Sequence, residues 1–455
     1  SCSVFAGNPY FIDLDLLARD GLLRRKDYAF LQWGGDGSRV DYGTLYERRF
    51  PVLRKAYENF LKRRPIPGYE TPYSDDWYRF QFLSADWLPD YCLYMAIKED
   101  NGMIDWQQWP RELRLRDPAA LARFRADHAR EIEFWAFVQY EFYRQWEALH
   151  NYAASKGVSI MGDIPIYVAP DSADAWAGPE LFETDEDGRP RRVAGCPPDY
   201  FAVDGQLWGN PLYDWDYHKK TGYVWWVRRI RHALSVYDIL RIDHFRGFDT
   251  YWAIPAGETT ARNGRWEQGP GMDLFRTLRL ALGDMPIVAE DLGEMFPSVR
   301  RLLAESGFPG MKVLQFAFNG EDSVDLPHNY PRNCVAYPGT HDNNTLAGWY
   351  AQELGNAGRK QAREYFALTE EEGILRGLLR GVLASPAALA VIPLADWLEA
   401  PADARINTPG SPRGNWQWRA DDKALTPALA KEIRAMSARY FRAEPAAARR
   451  KKETL

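Results

Sequence analysis

The chain has 455 residues, a formal net charge of −6 and 26% charged residues. That length exceeds one average domain yet suits a single catalytic barrel with insertions, and the acidic balance gives no general attraction to nucleic-acid backbones or anionic lipid. No apolar run reaches about 18 residues and no basic segment precedes an apolar one near the start, so neither a membrane span nor a secretory signal is expected in this sequence, which opens on Ser1 without a Met. Cys2, Cys92, Cys196 and Cys334 lie far apart without CxxC or Cys/His ligand spacing, which argues against a disulfide framework and fits a reducing cytoplasm.

In chain order, residues 1–157 read as a helical subdomain with few strand signals. Asp117 and Pro118 pair an N-cap residue with a proline suited to the first helical position, and helical segments continue from there to a stop at Gly157. Trp135, Val138, Phe142, Trp146 and Leu149 recur on one helical stripe, read as core and not as a ligand platform. Aromatic residues make up 14% of the chain, and most are expected to pack, since their rings bury large areas.

Residues 158–455 read as the main catalytic portion. Six strand signals follow in order: VSIMGDIPIYV, VYDILRIDHF, MPIVAEDLG, MKVLQFAF, NCVAYPGTHD and LAVIPLADWL. Helical stretches at 222–235, 271–282 and 296–306 separate several of them, and this β/α alternation predicts a parallel sheet. Three of the strands end in carboxylates: Asp243 in RIDHFRG, Glu290 in AEDLG and Asp342 in GTHDN. Catalytic groups of (β/α)₈ barrels sit at such strand ends, and paired carboxylates are what cleavage of a glycosidic bond requires. Within RIDHF, alternation puts Arg241 and Asp243 on one side, so a guanidinium stands beside the carboxylate; a purely structural ion pair is the alternative. Glu290 and Asp291 point to opposite faces, so one of them faces the barrel mouth.

These segments, with FAGNPY at Phe5–Tyr10, PPDYF, GQLWGNPLYDW and GNWQWR, resemble the amylomaltases, the 4-α-glucanotransferases of glycoside hydrolase family 77. The resemblance runs from FAGNPY to the end of the chain. It implies an α/β fold, a (β/α)₈ TIM-type barrel with helical insertions. Family members carry two further barrel strands before FAGNPY, so the resemblance also implies that this chain lacks its first two strands and forms an incomplete sheet of six.

The resemblance assigns Asp243 as nucleophile, Glu290 as general acid and base, and Asp342 as a donor-sugar carboxylate that works by binding the transition state. A retaining mechanism then places the Asp243 and Glu290 carboxyl groups about 5 to 5.5 Å apart, with Asp342 at the same mouth. It further implies sugar contacts from Arg241, His244 and His341, donor-sugar support from Asp163, and two cleft loops. The first, 193–213, carries Asp199, Tyr200, Phe201, Gln206 and Trp208; the second, 407–419, carries Asn415 and Trp416, and Trp208 and Asn415 are expected on opposite walls of one cleft. No metal and no cofactor are expected, because His244 and His341 have no third ligand at suitable spacing. The partners implied are maltooligosaccharides and starch- or glycogen-type α-1,4-glucans, not nucleic acid or membrane. Two positions depart from the family pattern: GTHDNN stands for the commoner GTHDND at Asn344, and PLADWL for a PLQD form at Ala395. Carboxylate geometry does not separate a transferase from an α-amylase-type retaining hydrolase, and a non-catalytic starch-binding protein would be expected to have lost one of the three carboxylates.

Overall fold

The computed structural model describes residues 2–63, 74–198, 203–318, 322–411 and 413–443. The chain forms two compact units, residues 1–32 with 47–308, and residues 33–46 with 309–455. Among the described residues no helix is long and apolar enough to cross a membrane.

In the first unit, helices occupy most of the sequence before residue 157. Three of them are α1 (Leu88–Asp100), α2 (Pro118–Asp127) and α3 (Ala129–Ser155). Asp117 caps α2 by accepting from Ala120 N at 2.8 Å, with Pro118 at the first position. Trp135, Val138 and Phe142 of the expected stripe are buried, but Leu149 is 52% exposed. The apolar periodicity thus outlasts the core it packs on.

Strand β1 (Met161–Pro165) begins the first parallel sheet. Next come β2 (Arg192–Cys196) and β3 (Gln206–Pro211), then β4 (Ile239–Asp243), β5 (Thr250–Pro255), β6 (Arg265–Gln268) and β7 (Ile287–Ala289). The parallel order is β1-β4-β7, with Asp163 opposite Arg241 and Pro165 opposite Asp243. Helices α4 (Val224–Val236), α5 (Met272–Leu282) and α6 (Pro297–Ser306) fall where the helical segments between strands are expected. Beneath the strand ends, Phe245, Phe248, Phe275 and Phe308 form edge-to-face and stacked pairs with centroids 5.1–6.3 Å apart.

The segment 193–213, expected as a cleft loop, carries β2 and β3 instead. They belong to a four-stranded antiparallel sheet ordered β3-β2-β5-β6, with a register shift between Val193 and Gly195. At Gly195 a Cβ would lie 2.2 Å from Gln206 O, so the glycine read as loop punctuation permits a close strand crossing.

The second unit holds β8 (Gly310–Val313), β9 (Cys334–Tyr337) and β10 (Leu389–Ala390), parallel in the order β10-β9-β8. Each of the six expected strand segments contains a strand, three in a parallel ladder in each unit. Helix α7 (Ile374–Ala384) buries Leu378, Leu379, Val382 and Leu383 in this unit's core.

Gly162 shows how tightly β1 is seated, since a Cβ there would lie 2.1 Å from the Tyr237 ring. Gly162→Ala must move that ring, and overpacking of this kind costs about 1–3 kcal/mol. The expected result is a lower urea midpoint at unchanged slope; a midpoint equal to the wild type would show that the ring yields freely.

Candidate functional site

In the first unit, one buried cation organises the ends of β1 and β4. Arg241 is 6% exposed and reaches two carboxylates, Asp163 on the neighbouring strand and Asp243 two residues along its own, the latter at 3.1 Å. Burial opposes its charge, but Asp163, Asp243 and Glu290 outweigh that cost and raise its pKa.

Beyond Asp243 the backbone turns sharply. His244 takes a left-handed conformation (φ 56°, ψ 47°), which is uncommon for a residue with a side chain and marks a constrained site. The turn aims its N–H at Glu290 Oε2, at 2.7 Å, while Leu292 N donates to Oε1 at 2.8 Å. Main-chain bonds lock the same corner: Glu290 N to Ile242 O at 3.0 Å, Phe245 N to Glu290 O at 3.1 Å and Ile166 N to Asp243 O at 3.2 Å. Buried Arg229 caps the end of β1, donating to Ile166 O at 2.8 Å and to Pro165 O.

Glu290 is 8% exposed, and its pKa is pushed up to about 7, first by burial and then by the charge of Asp243; Arg241 and the two N–H donors act in the opposite direction. His244 is pushed down to about 3 by loss of solvation and by Arg246, although part of its ring still meets solvent, so its imidazole is neutral at neutral pH. Trp208 meets the His244 ring edge-on at 4.8 Å and donates its indole N–H to Gln206 Oε1 at 3.1 Å. Asp163, Asp243, His244, Tyr167 and Trp208 share a cavity of about 700 Å³. Asp199, Tyr200 and Phe201 lie outside the described residues.

In the second unit, β9 leads into the segment bearing His341 and Asp342. Asn407 donates from Nδ2 to Asp342 Oδ1 at 2.6 Å and from its main-chain N to His341 O at 3.0 Å. Arg405 donates to the Asp342 carbonyl at 2.6 Å and to Asn407 O at 2.9 Å. Downstream, buried Asp396 accepts from Leu346 N at 2.8 Å, and burial raises its carboxyl to about 6. The His341 ring lies 5.1 Å from that of Trp416, which is 53% exposed and also left-handed, at φ 58°. Asn415 closes its own loop, accepting from Thr408 N at 3.0 Å and donating to Ser411 O at 2.8 Å.

Two residues touching Asp342 were not singled out by sequence reasoning, Arg405 and Asn407. Their signal is weak because they stand 63 and 65 residues from their partner, in a turn whose Asn, Pro and Gly read as ordinary loop chemistry.

The family described as 4-alpha-glucanotransferase matches residues 1–425. A 4-alpha-glucanotransferase of Clostridium butyricum is 44% identical over 448 residues, covering 98% of this chain and 90% of that protein. One from Thermus thermophilus is 45% identical, covering 96% and 87% respectively. Among solved structures, an amylomaltase from Streptococcus agalactiae in complex with acarbose aligns with a TM-score of 0.94 at 41% identity, covering 98% of this chain and 88% of that one. The chain belongs to the 4-alpha-glucanotransferase family, glycoside hydrolase family 77.

Proposed function

We propose that the chain moves α-1,4-linked glucan segments from donor to acceptor maltooligosaccharides, or to starch- and glycogen-type glucans, by retaining double displacement. On this reading the two parallel sheets are parts of a (β/α)₈-type barrel, and the strand-end carboxylates carry the chemistry. The observation that carries the proposal is the contrast between two neighbouring acids. Glu290 is held protonated to about pH 7, whereas Asp243 has a guanidinium at 3.1 Å. A shielded carboxyl that keeps its proton, beside a carboxylate with a guanidinium contact, supplies an acid and a nucleophile at one site.

In the first step Asp243 forms a bond to the anomeric carbon of the donor as the glycosidic C–O bond breaks, and the Glu290 proton passes to the departing oxygen. In the second step an acceptor hydroxyl gives its proton to Glu290 and attacks the same carbon, and Asp243 leaves. Water in place of the acceptor would give hydrolysis. Arg241 and Asp163 hold Asp243 and the donor ring. Neutral His244 offers hydrogen bonds without charge, and Trp208 with Gln206 presents an aromatic face and an amide to sugar C–H and hydroxyl groups. Asp342 and His341 are assigned to donor hydroxyls, and Asn415 to substrate contact from the 407–419 loop, which it closes through Thr408 and Ser411.

Incubation with maltotriose tests the activity: transfer yields glucose and a ladder of longer oligosaccharides, whereas shortening without a ladder would mean hydrolysis. Variants test the roles. Asp243→Asn is expected to form no glycosyl enzyme, while Glu290→Gln still reacts slowly with glycosyl fluorides, whose leaving group needs no proton. Rescue of Asp243→Asn and not of Glu290→Gln would reverse the assignment.

The pH dependence follows from Glu290. Its proton is needed in the first step and is lost as pH rises through about 7, so kcat/KM for maltotriose should fall above that point, about tenfold per pH unit. A profile flat to about pH 9 would remove Glu290 as the acid.

A further inference from the structure

The segment carrying Asp342 is fixed by a chain of contacts that reaches away from the sugar chemistry. Arg405 is its hub. It donates to the Asp342 carbonyl at 2.6 Å and to Asn407 O at 2.9 Å, and Asn407 in turn donates to Asp342 Oδ1 at 2.6 Å. One guanidinium thereby holds the main-chain carbonyls of Asp342 and of Asn407, the residue whose side-chain amide donates to the Asp342 carboxylate. On its other side Arg405 faces Glu353 Oε1 at 4.0 Å. Glu353 ends a π-helical turn, Trp349–Glu353, a wider turn often found at functional positions.

Asn344 completes the arrangement. It is 8% exposed, accepts from Thr345 N at 2.9 Å through Oδ1, and donates from Nδ2 to Glu353 Oε1 at 2.7 Å. An aspartate here would set two carboxylates within hydrogen-bonding distance, with the Arg405 guanidinium facing Glu353. The departure from GTHDND at this position therefore has a local partner: the amide at 344 is matched to the carboxylate at 353.

We propose that Arg405 is a positioning residue for Asp342, held in place by the Glu353 carboxylate with Asn344 as that carboxylate's hydrogen-bond donor. The inference rests on the reading of Asp342 as the donor-sugar carboxylate. Arg405 touches no substrate in this account; it acts through Asp342 and Asn407. Lysine is a poor replacement, because a single ammonium does not reproduce the planar fork that serves both carbonyls while facing Glu353.

Four variants test it, each checked for folding by circular dichroism and thermal midpoint. Arg405→Lys should lower kcat for maltotriose disproportionation by about tenfold or more at a preserved thermal midpoint, as expected when a group at the reacting sugar loses its alignment. Asn344→Asp should shift the pH optimum to lower values, because the paired carboxylates at 344 and 353 share a proton in acid and repel once it is lost. The double variant Asn344→Asp/Glu353→Gln removes the carboxylate pair and should return the pH optimum to the wild-type value, while kcat stays lowered because Arg405 has lost the Glu353 carboxylate. Wild-type kcat and KM in Arg405→Lys, or a lower thermal midpoint in Asn344→Asp without a displaced pH profile, would overturn the proposal. Asp342→Asn separates it from the reading beneath it. If Asp342→Asn is inactive and Arg405→Lys is unimpaired, only the positioning role falls; wild-type transfer by Asp342→Asn would remove both.

Discussion

A guanidinium shielded from water at the end of a parallel sheet needs anions within reach, because an unpaired buried charge is strongly destabilising. Arg241 has two, one from each of two adjacent strands, and the parallel register that sets Asp163 opposite Arg241 makes the arrangement possible. Glu290 lies close enough to feel both Asp243 and Arg241. The carboxylate with the guanidinium contact and the carboxyl shielded from solvent thus differ in environment although they are chemically alike. In the proposed mechanism, that difference lets one group attack and the other donate a proton.

The corner that holds Glu290 is mostly backbone. The left-handed turn at His244 turns an N–H toward one carboxyl oxygen, and Leu292 N meets the other. These donors favour the ionised form, yet burial and Asp243 prevail, so the carboxyl is oriented without being held ionised. A strained dihedral at such a position is maintained by its surroundings, here the ring cluster of Phe245, Phe248 and Phe275 and the main-chain bonds on either side. The second unit uses a similar device in another form, with a loop carbonyl and amide set by Arg405 and Asn407 around Asp342.

Much of this was legible in the sequence because it is local. The β-branched runs before Asp243, Glu290 and Asp342 announced buried strands, and Asp117 with Pro118 announced a helix start; β4, β7, β9 and α2 follow. What was hidden depends on distant partners. Residues 193–213 read as a glycine-rich loop because β2 finds its strand partner β5 about 60 residues on, and alternation is weak where the strands carry Gly195 and Gly209. The stripe ending at Leu149 was legible as apolar but not as exposed, since periodicity does not say how far a helix is covered. Arg405 and Asn407 carried no pattern, because their importance lies in a hydrogen bond across more than 60 residues.

The central claim is that Glu290 holds its proton near neutrality through burial and the charge of Asp243. The most direct measurement is a titration of its carboxyl carbon by NMR in protein labelled with ¹³C-glutamate, using Glu290→Gln to identify the signal. In the wild type the resonance should titrate near 7, and in Asp243→Asn its midpoint should move down, with burial keeping it above the ordinary glutamate value. A Glu290 signal that titrates at about 4.5 in the wild type, or that is indifferent to Asp243→Asn, would contradict the account.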